Sequence, residues 1–259
     1  MSTILFASPV FGPVKSRRLG VSLGINLLPE TGKVCTFDCI YCECGLNAQR
    51  KTAQKLPSRE KVASELEQTL IRMRQEGSAL DVITFAGNGE PTAHPHFAEI
   101  IDDVINLRNR YYPAAKISVL TNGTQVHKAA VFSALMRIEN NILKLDTVDE
   151  NYIKLVDRPT SHYSVQSQIE AFARFKGHAI IQTMFLKGTD SDGHDVANVS
   201  DRFVLPWIEA LKVIQPEEVM VYTIDRETPE SGLMKASPEE LDRIGELVKS
   251  AGFTVQVSY

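Results

Sequence analysis

Short apolar runs alternate with amphipathic helical segments along almost the whole chain, and this alternation constrains the fold more than any other feature. Strand–helix alternation builds right-handed βαβ units around a parallel sheet. The pattern therefore predicts an α/β fold, either a doubly wound sheet or an incomplete barrel, with ligands at the carboxyl ends of the strands. The predicted strands cover 21–27, 81–86, 116–120, 142–145, 179–186, 218–223 and 254–257.

Helices are predicted between these strands from apolar stripes and capping residues. The last helix has the clearest start, with Ser237 at the N-cap, Pro238 in the first turn and Glu240 three residues after the cap. The sequence contains no internal repeat and no Pro/Gly-rich linker, so we expect residues 1–259 to form a single core domain. The other main helices are predicted over 59–76, 97–109, 128–136, 164–175 and 201–214.

Composition and charge argue against some classes of protein, namely those with a broad nucleic-acid surface or a membrane span. The hydrophobic share of 43% supplies a full core, and the net charge of -4 argues against a broad nucleic-acid surface. The basic segment 15–18 is an exception, either a local basic patch or a solvated turn. Since no apolar run could span a bilayer and the N-terminus does not resemble a signal peptide, we expect a cytoplasmic protein without membrane contacts.

All four cysteines lie within one short segment, at Cys35, Cys39, Cys42 and Cys44. A disulfide framework spreads its cysteines along the chain, so this cluster favours a metal site. The C-x3-C-x2-C spacing of the first three suits three corners of an iron–sulfur cube and leaves its fourth iron without a ligand from the loop. The alternative is a structural zinc site with Cys44 as fourth ligand, although such sites usually use two separated ligand pairs. We expect that Cys44 is not a metal ligand.

The cysteine spacing, with Tyr41 directly before Cys42, resembles the signature of the radical S-adenosylmethionine (SAM) superfamily. The resemblance implies a partial (β/α)6 barrel of parallel strands and a [4Fe–4S] cluster on Cys35, Cys39 and Cys42. It also implies that SAM binds the open iron and is cleaved to a 5′-deoxyadenosyl radical that takes hydrogen from a substrate. A reduced flavodoxin or ferredoxin-type protein is the implied electron donor.

A second motif follows the predicted strand 81–86. The segment Gly87-Asn88-Gly89-Glu90-Pro91 is similar to the glycine-rich segment of the superfamily, whose backbone carbonyls hold the amino group of SAM. Glycine permits that close backbone approach. In isolation the same letters would indicate only a turn. Its position after a buried strand favours the interpretation as a SAM contact.

Polar residues at later strand ends complete the predicted cofactor site. Thr121 and Asn122 follow the third strand, and Asp146 ends the fourth, where the superfamily often places a polar group on the ribose of SAM. A helix cap or turn role is the alternative for Asp146. Tyr222 ends the sixth strand, where the family backbone often meets adenine. No catalytic side chain is assigned. The resemblance implies these SAM contacts: Tyr41, Gly87, Asn88, Gly89, Glu90, Thr121, Asn122, Asp146 and Tyr222.

Four further segments are similar to the branch related to wyosine-base (tRNA-imidazoguanosine) synthesis, which implies a modified nucleoside or tRNA as substrate. The tRNA-modifying members use a second iron–sulfur cluster, whereas this sequence has no cysteine outside 35–44. The resemblance therefore implies the SAM chemistry and leaves the wyosine reaction open. A radical SAM activase or peptide-modifying enzyme is the first alternative. A non-catalytic iron–sulfur or zinc module is the second. The segments are 12–20, 22–29, 157–159 and 222–226.

Overall fold

The computed structural model of the protein describes residues 3–16 and 18–259. An eight-stranded sheet forms its centre. In spatial order its strands are β1 (Val10–Ser16), β2 (Gly20–Ile25), β3 (Val82–Phe85), β4 (Lys116–Thr121), β5 (Asn140–Lys144), β6 (Ile180–Met184), β8 (Glu218–Tyr222) and β10 (Val255–Ser258). A separate antiparallel pair consists of β7 (Leu186–Gly188) and β9 (Leu233–Lys235).

The strands from β2 to β10 in the main sheet pair in parallel, and the sheet curls into a half barrel. The predicted α/β partial barrel is therefore confirmed. Within the described part of the main sheet, β1 alone runs antiparallel, along β2. It was not predicted, because Gly12 and Pro13 interrupt its pattern. The register shifts there, between Phe11 and Val14, which is compatible with an edge strand.

Helices follow the strands close to the predicted bounds. Ser58 caps α1 by accepting a hydrogen bond from the Lys61 amide. The capping box of α7 is present, since Ser237 and Glu240 each accept from the other's backbone amide. None of the helices in the described ranges combines the length and apolar character that a membrane span requires. The helices are α1 (Arg59–Gln75), α2 (Phe97–Tyr111), α3 (Ala129–Leu135), α4 (Glu150–Tyr152), α5 (Val165–Ala173), α6 (Asp201–Ile214) and α7 (Pro238–Ser250).

The two faces of the sheet carry different residues because side chains alternate along a strand. One face contributes residues such as Ile83, Leu143 and Val219 to the large core shared with the helices. The other face lines the barrel interior, where Ile142, Ile180 and Met220 form a small apolar cluster. Two residues further along the same strands, the interior positions become polar. They are Lys144, Gln182 and Tyr222.

Candidate active site

The cysteine loop leaves the carboxyl end of β2 and is fastened on two sides by backbone hydrogen bonds. On one side the Val34 amide donates to the Asn88 carbonyl at 3.0 Å, and the Glu90 amide donates to Val34 at 3.0 Å. On the other, the Ile40 amide donates to the Val156 carbonyl at 2.9 Å. The loop is therefore held between the glycine segment and the residues that follow α4.

All four cysteines are unpaired thiols. Burial raises the pKa of Cys35 to about 12 and that of Cys39 well above its ordinary range. The hydrogen bond with Cys44, helped by the Lys33 ammonium, outweighs burial and lowers the pKa of Cys42 to about 6. Metal ligation requires thiolates, so a bound metal would displace the protons of Cys35 and Cys39.

Lys33 places a positive charge under the cysteine loop. Its side chain is 1% exposed, and its Nζ donates to the Gly45 carbonyl at 2.8 Å and to Asp38 at 3.3 Å. Burial alone would lower the pKa of Lys33, but the electrostatic influence of Cys42 and the other cysteines, together with Asp38, outweighs burial and raises it. Three thiols on one loop beside a buried cation fit an anionic iron–sulfur cluster.

The glycine segment needs glycine at two positions. Gly87 and Gly89 have φ angles of +135° and +133°, which side chains rarely adopt. A Cβ at Gly89 would overlap the Val34 carbonyl oxygen, and one at Gly87 would lie 2.7 Å from the Asn26 side chain. The cysteine loop thus packs directly on bare backbone.

Replacing Gly89 by alanine is expected to separate the cysteine loop from the glycine segment. Overlap with Val34 plus backbone strain should cost roughly 3 kcal/mol of unfolding free energy, measured by urea denaturation. Gly77→Ala is the matched control, because Gly77 also has a positive φ (+68°) but nothing within 4 Å of an added Cβ. It should cost only about 1 kcal/mol. Equal losses in the two variants would contradict the close packing at Gly89.

The side chains of Asn88 and Glu90 are buried and bonded within the protein. The Asn88 amide donates to the carbonyls of Phe6 (2.9 Å) and Pro29 (2.8 Å). Glu90 accepts from the Thr121 hydroxyl at 2.6 Å and the Asn122 amide at 2.8 Å. Burial raises the pKa of Glu90 despite these hydrogen bonds. These side chains therefore hold the segment in place rather than line an open site.

Asn122 connects the end of β4 to the cysteine loop. Its side-chain amide donates to the Thr36 hydroxyl at 2.8 Å and lies 3.8 Å from the Cys35 sulfur. Two contacts thus join the end of β4 to both motifs. Thr121 bonds to Glu90 of the glycine segment, and Asn122 bonds to Thr36 of the cysteine loop.

A buried polar cluster lies at the end of β5, beside the residues that follow α4. Lys144 donates to Asp157 at 2.7 Å and also contacts Asp146 and the Tyr41 hydroxyl. Tyr41 in turn donates to Asp146, which accepts from the Met184 amide at 3.0 Å. Two predicted residues, Tyr41 and Asp146, therefore meet.

Sequence reasoning assigned no site role to Lys144 or Asp157. The available signals were a lysine interrupting the apolar strand 142–145 and the Asp-Arg-Pro motif at 157–159. Burial raises the pKa of Asp157 to about 6. Burial alone would lower the pKa of Lys144, but the attraction of Asp146 and Asp157 outweighs it and raises that pKa well above its usual range.

A cavity of about 450 Å³ joins several of the predicted positions. Tyr41, Cys42, Gly87 and Tyr222 all line it. Asn88, Glu90, Thr121 and Asp146 are not among its lining residues. Residues of β1 and of the β1–β2 turn also line the cavity, and the sequence did not place them at the site. Of the basic segment 15–18, the structure describes Lys15, Ser16 and Arg18, while Arg17 lies outside the described residues.

Comparison with known proteins is consistent with this arrangement. A family model for the radical SAM superfamily matches residues 30–198, which include the cysteine loop, the glycine segment and the polar cluster. A UPF0026 protein of Helicobacter pylori (strain J99) is 30% identical over 220 residues, covering 84% of this chain and 66% of that protein. The chain spans between 32% and 66% of the length of three curated relatives that it matches.

Solved structures share the fold. A radical SAM methyltransferase from Sphaerobacter thermophilus superposes with a TM-score of 0.68 over 92% of this chain and 66% of that one, at 16% identity. Archaeal TYW1 superposes with a TM-score of 0.56 over 89% of this chain and 72% of that one, at 12% identity. At such identities the similarity shows a common architecture.

Proposed function

Because this chain belongs to the radical SAM superfamily, we propose that Cys35, Cys39 and Cys42 hold a [4Fe–4S] cluster with which the protein cleaves SAM reductively. Members of the superfamily use this cluster and SAM. Together the two cofactors supply a 5′-deoxyadenosyl radical that abstracts hydrogen from a substrate. The observation that carries the proposal is one cavity bordered by Cys42, the backbone of Gly87 and Tyr222.

The protein's own residues have distinct roles in this proposal. The Gly87–Gly89 backbone offers carbonyl oxygens to the amino group of SAM, and Glu90 holds that backbone against β4. Asp146 does not line the cavity, so we assign it a positioning role: it accepts from the Tyr41 hydroxyl, and Tyr41 lines the cavity. The Lys144 ammonium offsets the cost of burying the Asp146 carboxylate. Support comes from the contact between Lys144 and Asp146, which fixes the carboxylate at the strand end.

We infer that strand β1 covers part of the cavity and limits the access of water to it. The Phe11 ring packs directly on Gly24, where any Cβ would overlap it. Phe6 lies against Phe11 with ring centroids 4.7 Å apart. A reactive radical needs a dry environment, because side reactions with surrounding groups compete with hydrogen abstraction. We therefore assign β1 to the site, and its pairing with β2 supports a core domain that extends beyond residues 30–198.

Radical SAM enzymes need a reductant and a substrate. We propose a reduced flavodoxin or ferredoxin-type protein as donor, because the half-buried Cys35 and Cys42 bring the cysteine loop near the surface. For the substrate, similarity of several segments to the wyosine branch supports a modified nucleoside or RNA. The activase and peptide-modifying alternatives use the same cofactor chemistry.

The direct assay is anaerobic. The protein is reconstituted with iron and sulfide, supplied with dithionite and SAM, and 5′-deoxyadenosine is measured by chromatography. We expect product from the reconstituted protein and none from the apoprotein or from samples without dithionite. A protein that binds zinc instead of iron, and releases no deoxyadenosine, would contradict the proposal and favour a metal-binding module.

A further inference from the structure

Arg18 carries an unusual feature in the turn between β1 and β2. Its Nη1 is buried, and within the described ranges it has no hydrogen-bond partner. The guanidinium lies over the Tyr222 ring, with Cζ 4.5 Å from the centroid. A buried charged donor without an acceptor is costly, so such a group indicates an acceptor supplied by a ligand. Arg18 also lines the 450 Å³ cavity.

Gln182 presents a second polar side chain to the same cavity. It is 7% exposed and lies on β6, two residues beyond Ile180 in the barrel interior. Ser22 and Thr84, which also line the cavity, satisfy each other with oxygens 2.8 Å apart. Arg18 and Gln182 are therefore the two polar side chains that we expect to contact a ligand in the cavity.

The charges around the cavity are unbalanced. Arg226 pairs with Glu43 at 2.6 Å, and Asp225 pairs with Lys235 at 3.3 Å. Among the described residues, Arg18 has no carboxylate partner. The cavity therefore favours an anion. A guanidinium held flat on an aromatic ring presents paired N–H groups, the geometry that matches carboxylate and phosphate.

SAM does not account for this end of the cavity. Cys42 and Gly87 lie beyond the carboxyl ends of β2 and β3, whereas Arg18 precedes the amino end of β2. The proposed function places the amino-acid end of SAM, which bears its carboxylate, at the open iron beside Cys42. The remaining charge on SAM is the positive sulfonium, which an unpaired arginine repels. A cavity of about 450 Å³ must hold both SAM and the reacting group, so the space beside Arg18 admits only a small group.

We propose that Arg18 binds a carboxylate or phosphate of the substrate within this cavity, with Gln182 as a neutral second contact. The substrate is then a small anion, or a larger molecule that inserts an anionic group between Tyr222 and β1. The inference rests on the proposed function, since it assigns the Cys42 and Gly87 side of the cavity to SAM. Tyr222 then serves both ligands, with its backbone toward adenine and its ring under Arg18.

Anion binding can be measured without SAM cleavage. Calorimetric titrations of apoprotein and reconstituted protein with inorganic phosphate and with succinate separate the phosphate and carboxylate sources. We expect one of the two to bind. Arg18→Gln should weaken that binding at least about 10-fold, the loss of a bidentate charged contact. Arg226→Gln is the matched control, because Arg226 lines the same cavity but is paired with Glu43, and its effect should stay below about 2-fold.

Gln182→Leu provides a second variant should Arg18→Gln fail to fold, and it should also weaken anion binding. Binding of neither anion to wild-type protein would overturn the assignment, as would equal weakening by Arg18→Gln and Arg226→Gln. Anion binding is also measured on the apoprotein, which does not cleave SAM. A failure to bind the anion is therefore distinguishable from a failure to form deoxyadenosine.

Discussion

Replacing Cys39 by alanine is expected to abolish the iron–sulfur cluster and SAM cleavage together. Cys39 is 9% exposed and occupies the middle of the three-cysteine spacing. Two thiols cannot hold three irons of the cube, so iron and sulfide content should fall to background after reconstitution. Deoxyadenosine formation should fall to background in the same sample. Survival of SAM cleavage in this variant would contradict the proposed mechanism.

Cys44→Ala is the matched control from the same loop. The Cys44 thiol is 2% exposed and donates to the Gly87 carbonyl at 3.3 Å, so its loss removes this hydrogen bond, worth about 1 kcal/mol, together with the hydrogen bond to Cys42. We expect the cluster to assemble in this variant. If Cys44→Ala loses metal as completely as Cys39→Ala, the four-cysteine zinc interpretation is favoured instead.

Replacing Lys144 by methionine is expected to destabilise the protein by about 3–5 kcal/mol, the usual cost of leaving a buried charge unpaired. The partner side chains, Asp146 and Asp157, are only 1% and 3% exposed. Urea denaturation measures the loss. Lys187→Met is the matched control, because Lys187 pairs with Glu240 at 2.9 Å near the surface and should lose less than about 1 kcal/mol.

The loss in Lys144→Met should depend on pH. Burial and the nearby Asp146 already raise the pKa of Asp157 to about 6 in the folded protein, above its value in the unfolded chain. The folded state therefore binds the proton more tightly, and stability from this group falls as pH rises from about 4 to about 6. Without Lys144 the pKa rises further. The variant should lose less stability at pH 5 than at pH 8, and equal losses would contradict the unpaired-carboxylate explanation.

The features predicted well are those encoded locally. The cysteine spacing and the glycine segment are each contiguous, and the parallel strands show as apolar runs. The family match confirms the superfamily, and the structure confirms the partial barrel. Strand β1 escaped prediction because Gly12 and Pro13 break its pattern, although its pairing with β2 covers the cavity.

Features that depend on distant residues could not be predicted. Lys144 matters because Tyr41, 103 residues away, and Asp157 converge on it. The buried roles of Asn88 and Glu90 were equally hidden, since a motif does not reveal whether side chain or backbone faces a ligand. The assignment of individual residues to cluster and SAM binding stays a prediction.

Electron paramagnetic resonance of the reduced, reconstituted protein with and without SAM tests the central claim most directly. Three cysteine ligands leave one iron open, so SAM binding should change the cluster's signal. The Cys44→Ala variant should show the same response. A complete cluster whose signal stays unchanged at saturating SAM would show that no iron is open to SAM, and would contradict the account.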